Sequence, residues 1–102
     1  MREVRLGPRD AGRTVAVAAG DRLVIALPET ASSGYRWTVE ELPRGARIVE
    51  DRYEHPSGAP LGSASLHLLV LEGAYAGVVR LRQSRSGRRE DDDRFEVSVT
   101  ER

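Results

Sequence analysis

The chain lacks cysteine, lysine and asparagine altogether, and its 102 residues include few aromatics: one Trp, one Phe and three Tyr. Without cysteine it can form neither disulfides nor thiolate metal sites, and it has no thiol nucleophile. Its 16 arginines balance 16 acidic residues, so there is no overall field that would attract nucleic acid or a membrane surface. No apolar run approaches the roughly 20 residues that span a bilayer.

The length suits one domain that covers residues 1–102, and a hydrophobic content of 39% allows a compact but thin core. The N-terminal segment from Met1 to Leu6 has no apolar stretch of the kind that a secretory signal carries. We therefore expect either a cytoplasmic protein or the processed form of a secreted one. With no disulfide available, packing alone must hold the fold together.

Short apolar or alternating segments recur about every ten residues between turn signals, which is typical of a β-sandwich. The predicted strands are Arg2–Leu6, Thr14–Ala18, Arg22–Leu27, Tyr35–Glu41, Ala46–Tyr53, Ser65–Leu71, Val78–Ser84 and Arg94–Thr100. The first and last are expected at sheet edges, and residues 85–93 are predicted to form a charged loop. No window keeps helical apolar spacing for three turns without Gly or Pro. The predicted fold is all-β, an antiparallel sandwich of about seven to eight strands.

The predicted core takes the apolar side chains from one face of each strand. Its members are Val15, Val17, Leu23, Ile25, Leu27, Trp37, Val39, Ile48, Leu66, Leu68, Val70, Val79, Leu81, Phe95, Val97 and Val99. A lone Trp on the third strand of a sandwich is most simply a core residue, so we assign Trp37 to the core rather than to a partner contact.

The most informative segment is a loop of small residues between two strand patterns, Thr30-Ala31-Ser32-Ser33-Gly34. Such a loop can come close to another surface, and its glycine can adopt a positive φ that other residues resist. A narrow loop on rigid strands is a common binding edge of a sandwich. Composition alone, however, favours an ordinary polar turn, because Ser, Thr and Gly are common loop residues.

The stretch Thr30-Ala31-Ser32-Ser33-Gly34-Tyr35, with Trp37 two positions on, resembles the N-P-T-T-G-Y motif of chagasin-type inhibitors of papain-like cysteine proteases. The likeness continues strand by strand through most of the chain. It implies an immunoglobulin-like sandwich that inhibits such proteases reversibly, with three loops at one end that occlude the active-site cleft. It also implies that no cofactor is needed and that the chain is not an enzyme.

The same resemblance implies two further contact segments. The family motif G-x-G-G corresponds to Gly62-Ser63-Ala64-Ser65, and the motif R-P-W corresponds to Ser84-Arg85-Ser86. The third segment lacks the Trp, an anchor type that contributes roughly 2 kcal/mol or more at a true hot spot. The implied protease-binding residues are Thr30, Ala31, Ser32, Ser33, Gly34, Tyr35, Gly62, Ser63, Ala64, Ser65, Ser84, Arg85 and Ser86.

Those departures leave a second hypothesis open, an immunoglobulin-like protein-interaction domain with eroded inhibitor loops. Other chemistry finds little support. The histidines His55 and His67 have no repeated ligand spacing, and no nucleophile elbow is present. The acidic run Glu90–Asp93 lacks the order of a calcium loop. We therefore expect no catalytic residue, no metal, no nucleic-acid or membrane partner, and a monomer when free.

Overall fold

The computed structural model describes residues 2–30, 34–55, 65–73, 75–85 and 88–102, with the backbone alone for residues 85 and 88–92. These residues form a short 3-10 helix at Pro8–Asp10 and the strands β1 (Glu3–Leu6), β2 (Thr14–Val17), β3 (Arg22–Glu29), β4 (Arg36–Glu41), β5 (Ala46–Glu54), β6 (Ser65–Gly73), β7 (Gly77–Arg85) and β8 (Arg88–Glu101). Sheet A has the order β1-β3-β6-β5, and sheet B has the order β2-β8-β7-β4. The predicted all-β sandwich is confirmed.

Neighbouring strands are antiparallel except at two edges, where β1 runs parallel to β3 and β2 runs parallel to β8. These two parallel pairs arise because the N-terminal segment leaves sheet A after Leu6 and enters sheet B at Thr14. Asp10 fixes the corner between them, because its carboxylate accepts hydrogen bonds from the Gly7 backbone N–H and from the Arg13 guanidinium, both at 2.8 Å. One segment therefore forms an edge of both sheets.

The core between the sheets contains most of the predicted residues. Those that are buried there are Val17, Leu23, Ile25, Leu27, Val79, Leu81, Phe95, Val97 and Val99, with Val15 and Trp37 partly buried against them. Val39 and Ile48, predicted as core residues, are instead 37% and 39% exposed. Val39 and Ile48 lie on β4 and β5, each of which is an edge strand of its sheet and so has a neighbouring strand on one side only. Leu66, Leu68 and Val70 were also assigned to this core, but they lie on the opposite face of β6 from Leu69 and Leu71, where Leu68 and Val70 are buried and Leu66 is half-buried. Strand β6 is apolar on both faces, so its sequence pattern does not show which face points inward.

A second apolar cluster lies on the outer face of sheet A. It contains Val24, Ala26, Leu68 and Val70, all buried. Long charged side chains share this face and form a continuous chain of ion pairs, Arg5–Glu54, Glu54–Arg52, Arg52–Glu50, Glu50–Arg22 and Arg22–Glu72. Arginine stems can cover apolar surface while their charged ends stay in water, which accounts for the burial of this cluster.

The charged segment predicted as a loop over residues 85–93 is instead a hairpin. Strand β7 continues to Arg85, which pairs directly with Arg88 at the start of β8. Because β2 pairs with the other side of β8, the C-terminal strand lies inside sheet B between β2 and β7 and is not the edge that was expected. Ladder hydrogen bonds hold such a ribbon without apolar residues, and the hydrophobic pattern therefore gave no sign of it.

Tyr75 is a fully buried residue that the sequence pattern did not assign to the core. Its hydroxyl lies 2.8 Å from the Asp21 carbonyl oxygen and 2.7 Å from that of Leu71, so the two carbonyl groups share its single O–H donor. Burial raises the pKa of this phenol. A tyrosine that bonds the backbone a few residues upstream, just before a strand, is the arrangement known as a tyrosine corner in immunoglobulin-like sandwiches.

Candidate functional site

The three segments predicted to bind a protease all leave the sandwich from one end. At this end, called the loop pole below, strands β3, β5 and β7 finish and strands β4, β6 and β8 begin. In sheet A the last residue of β3, Glu29, pairs with Ser65, the first residue of β6. In sheet B the first residue of β4, Arg36, pairs with Ser84 near the end of β7.

The predicted site residues are only partly covered by the structure. The residues Ala31, Ser32, Ser33, Gly62, Ser63, Ala64 and Ser86 lie outside the described residues. Gly34 has a φ of +80°, the left-handed conformation that its position was expected to need. Ser84 lies in β7, as predicted, and β7 also includes Arg85, which was predicted to begin a loop. Thr30 and Tyr35 are half-buried at the two ends of the central loop.

The two ends of the central loop are tied together by Trp37. Its backbone N–H donates to Oε2 of Glu29 at 2.8 Å, and its indole N–H donates to the carbonyl oxygen of Pro28 at 3.0 Å. Since Pro28 and Glu29 end β3 and Trp37 lies in β4, these bonds also join sheet A to sheet B. Segment 30–36 therefore begins and ends on fixed anchors, and the core role expected for Trp37 is only part of what it does.

Among the charged side chains that the structure describes at the loop pole, Glu29 is the most enclosed, with 1% of its side chain exposed. Oε1 accepts a hydrogen bond from the Tyr53 hydroxyl at 2.6 Å, and the Arg36 guanidinium lies 3.7 Å away. Burial is the largest single influence on its pKa and raises it. The hydrogen bonds from Tyr53, the Trp37 N–H and His67 together outweigh burial, so the pKa of Glu29 lies below its ordinary value.

His67 lies between two carboxylates. Nδ1 is 2.9 Å from Oε2 of Glu29, and Nε2 is 2.6 Å from Oδ1 of Asp51. Because an ionised carboxylate only accepts hydrogen bonds, the ring satisfies both contacts when it donates from both nitrogens. The ring of Tyr53 stacks on it with centroids 4.6 Å apart. With both nitrogens engaged, His67 is a bridging residue, and no group of three metal-ligating side chains is found among the residues described here.

A recess of about 330 Å³ opens beside this network and is lined by Glu29, Arg36, Tyr53, His55 and Ser65. The Ser65 hydroxyl oxygen lies 2.6 Å from Nδ1 of His55. A nucleophilic serine would also need an acid that orients the histidine from its second nitrogen. No described contact supplies that acid, so the pair does not form a triad in the part of the chain that the structure covers.

The network of Glu29, Asp51, Tyr53 and His67 was missed by the sequence reasoning. One signal for it is present in the strand periodicity, because Glu29 falls on the same face of β3 as Leu23, Ile25 and Leu27. A charged residue on an inward face must find a partner. His67 on the inward face of β6, directly opposite Leu27 and Tyr53, is the nearest candidate on the neighbouring strand.

Comparison with known proteins gives a match to one protein family and to several solved structures. The family model described as chagasin family peptidase inhibitor I42 matches residues 16–99. Among solved structures, the cysteine protease inhibitor EhICP2 from Entamoeba histolytica is 23% identical, with 99% of this chain and 96% of that chain covered and a TM-score of 0.81. No curated protein sequence matches the chain significantly.

Two further structures share the fold. The solution structure of amebosin is 20% identical, with 100% of this chain and 99% of that one covered and a TM-score of 0.73. PbICP-C, solved in complex with falcipain-2, is 14% identical, with both chains covered in full and a TM-score of 0.69. At these identities the likenesses establish a common fold.

The family match spans most of the chain and includes the central loop and its flanking strands. It confirms the resemblance found in the sequence. It also confirms the expectation of a non-enzymatic protein, because the matched family consists of inhibitors. The chain therefore belongs to the chagasin family of peptidase inhibitors, family I42.

Proposed function

We propose that this protein is a reversible inhibitor of papain-like cysteine proteases and that it blocks the active-site cleft with its loop pole. The observation that carries the proposal is the pinned central loop, whose two ends are joined by the hydrogen bonds from Trp37 to Glu29 and Pro28. Family membership supports inhibition of a peptidase. The related PbICP-C was solved in complex with falcipain-2, which supports this class of target.

The physical mechanism is occlusion without chemistry. The loop consists of small residues, so its backbone can lie close to the catalytic groups of the enzyme. These residues are Thr30, Ala31, Ser32, Ser33 and Gly34. Anchored ends reduce the conformational entropy that the loop loses on binding, and preorganisation of this kind is a main source of affinity at fixed contact area. Tyr35, at the end of the loop, adds an aromatic contact.

The other two segments complete the proposed interface. Residues Gly62, Ser63, Ala64 and Ser65 would contact one shoulder of the cleft, and Ser84, Arg85 and Ser86 the other. The pairing of Arg85 with Arg88 leaves residues 86 and 87 alone between the strands of the hairpin. The third segment lacks the Trp of the family motif, which favours weaker binding than the full motif would give.

The second candidate, an interaction domain with eroded loops, draws its support from that missing anchor. One experiment separates the two. The protein is mixed with papain and several related enzymes, and two quantities are measured: residual activity, and alkylation of the catalytic cysteine by a small thiol reagent. An occluding inhibitor lowers both, and activity returns on dilution. An interaction domain leaves activity and alkylation unchanged at high micromolar concentration.

A further inference from the structure

We infer that Glu29 is a positioning residue for the central loop and that His67 holds its carboxylate in place. The inference rests on the proposed function, since it assigns the contacts that hold together the two ends of the proposed inhibitory loop. The Glu29 side chain points into the protein, so it would not contact a bound protease itself. Its effect on inhibition would act through Trp37, the first residue after the loop whose backbone N–H it holds.

The burial of Glu29 gives the first argument. Its side chain is 1% exposed and lies on the face of β3 that otherwise carries Leu23, Ile25 and Leu27. A buried charge is costly unless it is paired, and well-packed apolar residues often stabilise a fold as well or better. A carboxylate at this position is therefore poorly explained by stability alone. It supplies a directional acceptor, which an apolar side chain cannot.

The distribution of its partners gives the second argument. The carboxylate contacts Tyr53 on β5, His67 on β6 and Trp37 on β4, so it links three strands other than its own. Trp37 lies in sheet B, as does Arg36, whose guanidinium lies 3.7 Å from Oε1. The bond from the Trp37 N–H to Oε2 and the bond from the indole to Pro28 help to set the position of β4 relative to β3, and hence the separation between the two ends of the loop.

His67 supplies the third argument, because it shares Oε2 of Glu29 with the Trp37 N–H. Asp51 fixes the other side of the ring, and Asp51 is 57% exposed at its side chain. The groups thus form a line from the surface of β5 through the imidazole and the carboxylate to the loop base. Without His67, the carboxylate would lose the bond that sets the direction of Oε2.

The charged and titratable groups around this line come from every strand that packs on it. In the part of the chain that the structure describes they are Glu29 on β3, Arg36 on β4, Asp51 and Tyr53 on β5, and His67 on β6. The Arg36 guanidinium lies 3.7 Å from Oε1 of Glu29, the oxygen that Tyr53 also bonds. Oε2 is therefore the oxygen that contacts His67 and Trp37, and the Trp37 bond is the one that would position the loop.

The test compares Glu29→Gln and His67→Phe with the wild type in two assays. The first measures hydrogen exchange of the Trp37 backbone amide by NMR in the free protein. The second measures inhibition constants against a papain-like enzyme. Glu72→Gln serves as a charge-matched control, since Glu72 pairs with Arg22 on the outer face of sheet A. Leu68→Ala serves as a stability-matched control, because Leu68 is buried in the outer cluster.

We expect both test variants to speed Trp37 amide exchange and to raise the inhibition constant tenfold or more. Both controls should leave the inhibition constant within about twofold of wild type, although Leu68→Ala lowers the thermal midpoint. Unchanged exchange in both test variants overturns the inference, as does equal weakening of inhibition by Leu68→Ala. If the wild type inhibits nothing, the proposed function fails, while the exchange measurement still decides whether Glu29 positions the loop.

Discussion

The indole N–H of Trp37 and the carbonyl oxygen of Pro28 are joined by a 3.0 Å hydrogen bond beside the central loop. This bond crosses from sheet B to sheet A, and it acts together with the bond from the Trp37 backbone to Glu29. A residue that packs against the core thus also closes the base of the proposed inhibitory loop. Stability and inhibition should therefore both respond when Trp37 is changed.

Trp37→Phe should lower the free energy of unfolding by about 1–2 kcal/mol, because the ring is kept in part while the indole hydrogen bond is lost. The inhibition constant should rise several-fold. Chemical denaturation and inhibition assays measure the two effects. Val39→Ala, on the same strand and 37% exposed, is the control and should leave the inhibition constant unchanged. If Trp37→Phe inhibits as well as wild type, the indole hydrogen bond does not control the geometry of the loop.

Acid should weaken the fold through Glu29. Its pKa is lowered in the folded protein from the ordinary 4.5, so the carboxylate contributes stability that is complete above about pH 4.5 and is lost as pH falls through the folded value. Glu29→Gln removes this contribution, and its stability should fall less steeply than that of wild type below pH 4.5. Urea midpoints measured across this range test the prediction, and parallel curves for the two proteins would contradict it.

High pH should lower the stability of the fold through ionisation of Tyr53. The hydrogen bond to Glu29, followed by burial, raises the pKa of this phenol to about 12 from 10.0. A raised pKa means that the stabilising contribution is complete below pH 10 and is lost as pH rises toward 12. Tyr53→Phe should lack this part of the alkaline loss of stability. Ultraviolet titration of phenolate should lose its most basic component in that variant, and an unchanged titration would rule out the assignment.

The outer cluster of sheet A should behave as a true core. Leu68 is fully buried although it faces away from sheet B. Leu68→Ala should therefore cost about 2–5 kcal/mol in the free energy of unfolding, as for other large-to-small core changes. Leu66→Ala, a half-buried position on the same face of the same strand, should cost clearly less. Equal, small losses in the free energy of unfolding for both variants would show that the arginine side chains do not shield this face from water.

Strand positions followed well from the sequence where apolar residues form a run, as in β3 and β6, or alternate, as in the second half of β8. The ends were harder to predict. Strand β3 continues through Pro28 to Glu29, where the sequence suggested a loop, because the buried Glu29 carboxylate finds hydrogen-bond donors on three other strands. The charged hairpin of β7 and β8 was missed since its pairing depends on backbone hydrogen bonds and not on apolar contacts.

The candidate site was predictable only in part. The motif from Thr30 to Tyr35 pointed to the central loop, and its glycine has the positive φ that was expected. The support beneath the loop was not foreseen, because it brings together Glu29, Asp51 and His67 from three different strands. Such long-range polar contacts depend on the register between strands, which local periodicity does not determine.

The central claim is that the central loop carries inhibition, and one pair of glycine variants tests it most directly. Gly34 and Gly20 both have positive φ, at +80° and +91°, but Gly20 precedes β3 at the end of the sandwich opposite the loop pole. Gly34→Val and Gly20→Val therefore impose similar backbone strain at opposite ends. We predict that Gly34→Val raises the inhibition constant against a papain-like protease tenfold or more, and that Gly20→Val leaves it unchanged. Equal inhibition by both variants would contradict the account.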